Sequence, residues 1–417
     1  MDREALAAVP EAAPAIDSVK ARRGGFGALR SVPFRWYFAG QIASASGTFV
    51  QQTAVGWLVL QLTGSASSLG LVLAAGGLPA LIGGPWGGVV ADRFDLRRLL
   101  ITTQVLSAVL AVALWLAAAA GHASVPTVIA ITVAAGIVQI VDSPARQAFV
   151  AQLVPADQLA SAASINGVIM NGAKVVGPAL AGVLITTLGT TPCFAVNAVS
   201  YLAVIAALVV IRPLSTTTQA RQRSGLRDGL RHAASRQQLF LPLLMMALVG
   251  LLAFNFGVVL PVLASQTFHG DGGTYSLMST VLSVGSVIGS LAVGLVPHPR
   301  RIYLMASSLA FGITLALTAA APTLGLACAG LAAAGIAGFC FVPLASTALQ
   351  LHADPEYRGR IMALWVFVYI GTTPIGSIVS GWVCSAAGAP AALLVGAASC
   401  LVAAAIAAAI RTPVGSE

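Results

Sequence analysis

The sequence carries very little charge for its length. Only 8% of its 417 residues are Asp, Glu, Lys or Arg, whereas a soluble domain contains about 25%, and its mean hydropathy is +0.90. This composition excludes a water-soluble fold and predicts an integral membrane protein. A net charge of +9 would suggest nucleic acid as the partner of a soluble protein. No nucleic acid is expected here, because the arginines follow the topological pattern described below.

Patterns for metal, redox or nucleotide chemistry are also missing. The five cysteines stand singly in apolar runs, without a CxxC pair, and are predicted to be small core residues. The five histidines are spread over predicted connections at both faces of the membrane, so we expect no metal site. The sequence contains no GxxxxGK[ST] run, so neither an ATP site nor a cofactor is predicted.

Twelve apolar segments reach the length of about 20 residues that a helix needs to cross a bilayer. We therefore predict an all-α membrane protein with twelve transmembrane helices. The segments are centred near Thr48, Leu78, Leu110, Ala135, Asn171, Ile205, Phe254, Ser283, Ala310, Gly335, Tyr369 and Ala397.

The basic residues occupy every second connection between these segments. Of the 22 lysines and arginines, only Lys174 falls outside this pattern. Lys and Arg concentrate on the cytoplasmic side of membrane proteins, so both termini are predicted to be cytoplasmic, in a multi-pass protein of the cell inner (plasma) membrane. The connections without Lys or Arg lie near Gly64, Gly121, Gly189, Asp271, Pro322 and Gly388.

The two halves of the sequence repeat each other. AAGIVQIVDSPARQAFVAQLVP begins at Ala134 and AAGIAGFCFVPLASTALQLHADP at Ala333, which places Pro144 and Pro343 at equal distances from matching starts. Parallel six-helix bundles with a midplane site between them are typical of alternating-access carriers. The predicted units are bundles over 34–211 and 239–411, a flexible cytoplasmic tail over 1–33, a basic cytoplasmic linker over 212–238 and a cytoplasmic tail over 412–417.

Several motifs carry a family resemblance. The connection after the second segment reads GVVADRFDLRR from Gly88. It is similar to the GxxxDRxGRR signature of the major facilitator superfamily, which the chain resembles from Phe34 to Arg411. LTGSASSLG at Leu62 and DSPARQAFVAQLVP at Asp142 are similar, more narrowly, to the transmembrane secretion effector group, which includes enterobactin exporters. The charged motif reads Gly88, Asp92, Arg93, Asp95, Arg97 and Arg98.

GAKVVGPALAG, which begins at Gly172, is similar to the glycine-proline motif of antiporters in that superfamily. It keeps Gly177, Pro178 and Gly182. This resemblance favours export over import.

The resemblance also implies a cytoplasmic gate. Asp92 and Arg93 would hold it shut by pairing with the neighbouring half. The alternative is that they belong to a solvated turn, whose positive charge serves only to keep this connection on the cytoplasmic side. Leu96 stands where the superfamily usually has Arg, so an acid on the fourth helix lacks its usual partner, and Arg97 or Arg146 would have to substitute. The predicted gate residues are Gly88, Asp92, Arg93, Asp95, Arg97 and Arg146.

Two charged residues lie inside predicted helices. Asp142 is either a proton-coupling carboxylate or half of a structural salt bridge with Arg146 or Arg97. Lys174, which shares a helical face with Asn171, could bind an anionic substrate, take part in coupling or pair with Asp142. A buried structural lysine whose ammonium reaches toward water is the alternative.

Polar and aromatic residues on several helices are candidates for a substrate cavity. Two glutamines on the first helix are too large to bury without partners. An asparagine and two aromatic residues in the second half would give a weakly polar pocket for amphipathic or planar substrates, although core packing explains them equally well. The predicted cavity residues are Gln41, Gln51, Asn171, Asn255, Trp365 and Tyr369.

Together these features predict a monomeric secondary transporter in the lipid bilayer. It would export small organic molecules, such as a drug, siderophore or metabolite, by alternating access and as a proton antiporter. An importer of the same fold and a non-transporting sensor or accessory protein remain alternatives. A membrane enzyme would need a catalytic cluster near one interface, and only Asp92 and Asp95 approach that pattern, so no enzyme is predicted.

Overall fold

The computed structural model describes residues 27–211, 226–296 and 300–410. In these ranges the chain is helical, without strands. A short 3-10 turn precedes six long helices that form the N-terminal half. These are α1 (Val32–Thr63), α2 (Ala66–Arg93), α3 (Leu96–Ala119), α4 (Val125–Gln152), α5 (Leu159–Leu188) and α6 (Thr191–Val210).

The C-terminal half repeats the pattern after a short linker helix, Leu226–Ser235. Its first span, α7 (Gln237–Thr267), is interrupted at 253–255 and is followed by α8 (Gly272–Ala292), α9 (Arg301–Ala319) and α10 (Leu324–His352). The last helical run, Arg358–Ala409, breaks at Gly388, where φ is 85°, into α11 (358–387) and α12 (389–409). The predicted all-α architecture of twelve spanning helices in two six-helix bundles is confirmed.

The connections without arginine are built from turn-forming residues. Gly64, Gly121, Gly189 and Gly388 all have positive φ, between 60° and 85°, a conformation that only glycine adopts without a steric penalty. At a fifth connection Asp271 caps α8, and the backbone N–H of Thr274, which donates to its carboxylate at 2.9 Å, holds the pKa of Asp271 below its usual range. Local sequence therefore fixes where each of these hairpins reverses.

The internal repeat reappears in the packing of matched helices. A Cβ at Gly136 on α4 would lie 2.5 Å from the carbonyl oxygen of Gly76 on α2, and a Cβ at Gly335 on α10 would lie 2.3 Å from that of Leu282 on α8. The two glycines occupy the same position of the sequence repeat. Small residues that let two backbones touch are the usual means of packing membrane helices, and both halves use them at the same place.

The two halves are joined at the arginine-free end. Ser67 at the start of α2 and Ser385 at the end of α11 place their hydroxyl oxygens 2.7 Å apart. On the other side of the interface, the rings of Trp57 and Tyr275 stack with centroids 6.3 Å apart. A Cβ at Gly70 would lie 2.4 Å from the carbonyl oxygen of Ser377. This end of the interface is therefore closed by direct contact between α2 and α11 and between α1 and α8.

The linker helix is held against the C-terminal half. The guanidinium of Arg236 donates to the carboxylate of Asp354 at 2.8 Å, and the ring of His232 stacks on Tyr357 with centroids 4.0 Å apart. The helix falls inside the predicted linker, and residues 212–225 of that linker lie outside the described ranges. Residues 1–26 of the predicted N-terminal tail also lie outside them, as do residues 411–417, which comprise the predicted end of the second bundle and the C-terminal tail. The assignment of these segments stays a prediction.

Candidate substrate cavity and gate

A cavity of about 250 Å³ lies between the two halves. Gly77 on α2 contributes from the N-terminal half, and α7, α10 and α11 contribute from the C-terminal half. Most of its wall is aromatic or aliphatic, so it would hold an apolar body. The lining residues are Gly77, Met246, Gly250, Phe254, Phe256, Phe339, Tyr369, Ile370 and Thr373.

The predicted residues of the C-terminal half lie at or behind this cavity. Tyr369 lines it, and the buried Trp365 stacks on Tyr369 with ring centroids 6.4 Å apart. Asn255 is buried at the break in α7, between two phenylalanines that line the cavity. Its amide donates to the carbonyl of Leu251 at 2.6 Å and so replaces a backbone bond that the break removes.

The predicted glutamines of α1 are bonded within the N-terminal half. Gln41 is buried and accepts from the guanidinium of Arg146 at 3.0 Å. Gln51 accepts from the side-chain amide of Asn197 on α6 at 2.8 Å. Asn171 is half-buried on α5, one turn before Lys174. The structure thus assigns each glutamine a partner and leaves the predicted contact with substrate untested.

Asp142 is buried, and the described structure satisfies both of its carboxylate oxygens. Oδ1 accepts from the hydroxyl of Thr103 at 2.7 Å and from the amide of Gln104 at 2.8 Å, and Oδ2 pairs with the guanidinium of Arg146. Of the two arginines considered from the sequence, Arg146 is therefore its partner. Gln104, a single amide in an apolar run of α3, was the sequence signal for this network.

Arg97 has a different task. Its Nε and Nη2 donate to the carbonyls of Leu208 and Val209, at 2.6 and 2.5 Å, and so cap the last turn of α6. In the other half Arg301, at the start of α9, donates to the carbonyl of Ile410 beyond the end of α12. Each half thus has an arginine on its third helix that satisfies the C-terminal carbonyls of its sixth helix.

The remaining residues of the charged motif lie at the surface. Asp92 and Arg93 are exposed at the end of α2, and Asp95 caps α3 by accepting from the backbone N–H of Arg98 at 2.8 Å. A Cβ at Gly88 would meet nothing within 4 Å, whereas one at Gly87 would lie 1.9 Å from a carbonyl oxygen of α4. The close approach between α2 and α4 therefore depends on the glycine next to the motif position.

Lys174 is half-buried near the middle of α5. Its ammonium nitrogen lies 5.5 Å from the ring centroid of Phe339, which belongs to the opposite half and lines the cavity. A cation over an aromatic face gains electrostatic stabilisation. The position of Phe339 could not be inferred from the sequence, because the contact joins helices 165 residues apart.

The glycine-proline motif packs α5 on both sides. A Cβ at Gly177 would lie 2.3 Å from the Cβ of Phe49 on α1, and a Cβ at Gly182 would lie 2.8 Å from the Cβ of Ser276 on α8. Pro178 is buried between these two contacts. The motif therefore lets α5 pack closely against α1 of its own half and against α8 of the other half.

The fold is that of a major facilitator transporter. The nucleoside transporter NupG has the same fold, with a TM-score of 0.74 and 15% identity over 91% of this chain and 98% of that one. A bacterial homologue of the human lysosomal transporter Spinster, in an inward-facing and unoccupied conformation, matches with a TM-score of 0.72 and 14% identity over 91% and 96% of the two chains.

The sequence profile of the transmembrane secretion effector family matches residues 23–417, and the chain belongs to that family. It is 26% identical to macrolide efflux protein A of Streptococcus pyogenes, over 83% of this chain and 88% of that protein. It is also 26% identical to the multidrug efflux pump Tap of Mycolicibacterium fortuitum, over 85% and 89%, and to the staphyloferrin A transporter of Staphylococcus aureus, over 62% and 66%. The resemblance to this group is confirmed, and the chain is a membrane transporter.

Proposed function

We propose that this transporter exports small organic molecules by alternating access, as a proton antiporter. The observation that carries the proposal is the aromatic cavity between halves that touch at the arginine-free end. A site shared by two bundles can be exposed to either side by rocking one bundle against the other. Two of the relatives are named as efflux proteins, which supports the outward direction.

The positive-inside rule supports the orientation. Arginines lie at one end of the described helices, as in Arg93, Arg97, Arg301 and Arg358, and the connections at the other end carry none. We place the arginine-bearing end and both termini in the cytoplasm of a bacterial cell. In the conformation seen, the contacts between Ser67 and Ser385 close the outer end, and the exposed Asp92 and Arg93 lie at the inner end.

The gate and the coupling residues have separate places in this proposal. On the inner side, Asp92 and Arg93 would meet the other half when the inner end closes, with Gly88, Asp95, Arg97 and Arg146 keeping their helix ends in place. Asp142 and Lys174 are the charged groups within the spans that proton exchange could use. Asn171 and the glutamines of α1 would meet substrate as the halves move, beside the cavity formed by Asn255, Trp365 and Tyr369.

Transport in everted membrane vesicles tests the proposal. Vesicles from cells that express the chain should accumulate a fluorescent aromatic dye when respiration acidifies their interior, and a protonophore should abolish this accumulation. Vesicles with an Asp92→Asn variant at equal protein level should accumulate less, because the closed inner gate loses a charge. Accumulation that survives the protonophore would refute proton antiport, and dye movement only out of the vesicles would refute export.

A further inference from the structure

Asp142 and Lys174, the two charged residues that stood out inside the predicted helices, differ in their partners. Asp142 is bound by Thr103, Gln104 and Arg146 within the N-terminal half. Among the residues that the structure describes, Lys174 has no carboxylate within ion-pair distance. An intramembrane cation without a counter-charge is costly and marks a functional site.

Lys174 lies where a ligand of the cavity could reach it. Its ammonium is placed over the ring of Phe339, and the same ring forms part of the cavity wall. Phe339 and Phe254 in turn form an edge-to-face pair, with ring centroids 5.4 Å apart. The cation therefore stands beside an aromatic wall, at the boundary between the two halves.

The charge next to this cavity would favour an anionic ligand. None of the described lining residues carries a carboxylate, and the ammonium of Lys174 lies 5.5 Å from the ring centroid of Phe339 in that wall. In surroundings of low dielectric constant, charges a few ångströms apart interact far more strongly than in water. An organic cation would gain from the aromatic faces but would be repelled by this ammonium, whereas an anion would supply the missing counter-charge.

We infer that the substrates of this cavity are small amphipathic organic anions. Their carboxylate, or another acidic group of similar size, pairs with Lys174, and their aromatic or aliphatic body packs against Phe254 and Phe339. The volume of about 250 Å³ exceeds the 150 Å³ or so that holds benzene, so a body of one or two rings fits. The inference deepens the proposed export function, and anion binding can be measured without transport.

Binding to the purified full-length chain separates charge from shape. We would measure 1-naphthoate, neutral 1-naphthamide and cationic 1-naphthylmethylammonium by equilibrium dialysis in phosphatidylcholine nanodiscs. Naphthoate should bind at least tenfold more tightly than the other two. In Lys174→Met the preference for naphthoate should disappear while naphthamide binding is kept. In Lys174→Arg, which keeps the positive charge, the preference should remain. Lys20→Met, which alters the only other lysine, should behave as the unaltered chain.

Each contrary outcome has a defined meaning. Equal binding of naphthoate and naphthamide to the unaltered chain, or a preference that survives Lys174→Met, overturns the inference. An anionic lipid headgroup could also pair with Lys174, so the titration is repeated with phosphatidylglycerol in the discs. If phosphatidylglycerol displaces naphthoate from the unaltered chain, the cation belongs to a lipid site and the inference fails. Selective binding without export would refute only the proposed function.

Discussion

Replacing Asp142 by asparagine should destabilise the N-terminal half by leaving Arg146 without its charge partner. The substitution keeps an oxygen for Thr103 and Gln104, but it places an amide nitrogen against a guanidinium, so two donors face each other. Removing one partner of a buried ion pair costs about 3–5 kcal/mol. The Arg146 side chain is 20% exposed, which favours the lower end, about 3 kcal/mol.

A double-mutant cycle measures whether this cost comes from the pair. Arg146→Gln alone should cost a similar amount, because it leaves a buried carboxylate that keeps only neutral donors. The double variant Asp142→Asn/Arg146→Gln should cost less than either single variant, since the two neutral amides can bond to each other. Unfolding would be followed by circular dichroism during titration of mixed micelles with sodium dodecyl sulfate.

The same cycle separates a structural role from proton coupling. If the costs of the single variants add in the double variant, the ion pair does not stabilise the fold and the reasoning is wrong. If the double variant is stable and still exports, Asp142 serves the fold alone. If it is stable and export is lost, the ion pair is required for transport and not only for the fold.

Three further experiments test the packing and the closed end of the interface. Gly87→Ala should cost about 1–3 kcal/mol of unfolding free energy, because its Cβ would meet a backbone carbonyl of α4, whereas Gly88→Ala has open space and should be near neutral in the same titration. Oxidation of Ser67→Cys/Ser385→Cys should form a disulfide that stops transport until it is reduced. If the oxidised double variant transports as well as either single variant, this end does not have to open during transport and the proposed cycle is wrong. Arg301→Gln should lower the unfolding free energy by about 1 kcal/mol, because it removes the cap of α12. An unchanged unfolding midpoint would show that this cap does not stabilise the protein.

The helices and their connections could be predicted because their causes are local. A span depends on about 20 apolar residues in sequence, and a hairpin reverses where glycine with positive φ is available, as at Gly64 and Gly388. The repeat at Ala134 and Ala333 likewise predicted two equivalent halves, and its glycines pack in the same way in both. The family motifs were sufficient to identify the class of transporter.

The functional contacts could be predicted only in part. The sequence offered Arg97 and Arg146 as partners of Asp142, and it offered Asp142 as a partner of Lys174. Helix spacing places residues on a shared face, but it does not say which neighbour that face meets. Phe339 carried no signal that distinguished it from other aromatic residues in apolar runs.

The sequence by itself determined the number of spans, their turns and which connections carry arginine. Only the tertiary structure decided that Arg97 caps α6, that Gly87 carries the close packing beside the motif, and that Lys174 faces Phe339 across the two halves. The physical reason is that lipid and protein interior are both apolar, so the pattern of hydrophobic residues does not fix the rotation of a membrane helix. That rotation is set by close packing between helices distant in sequence.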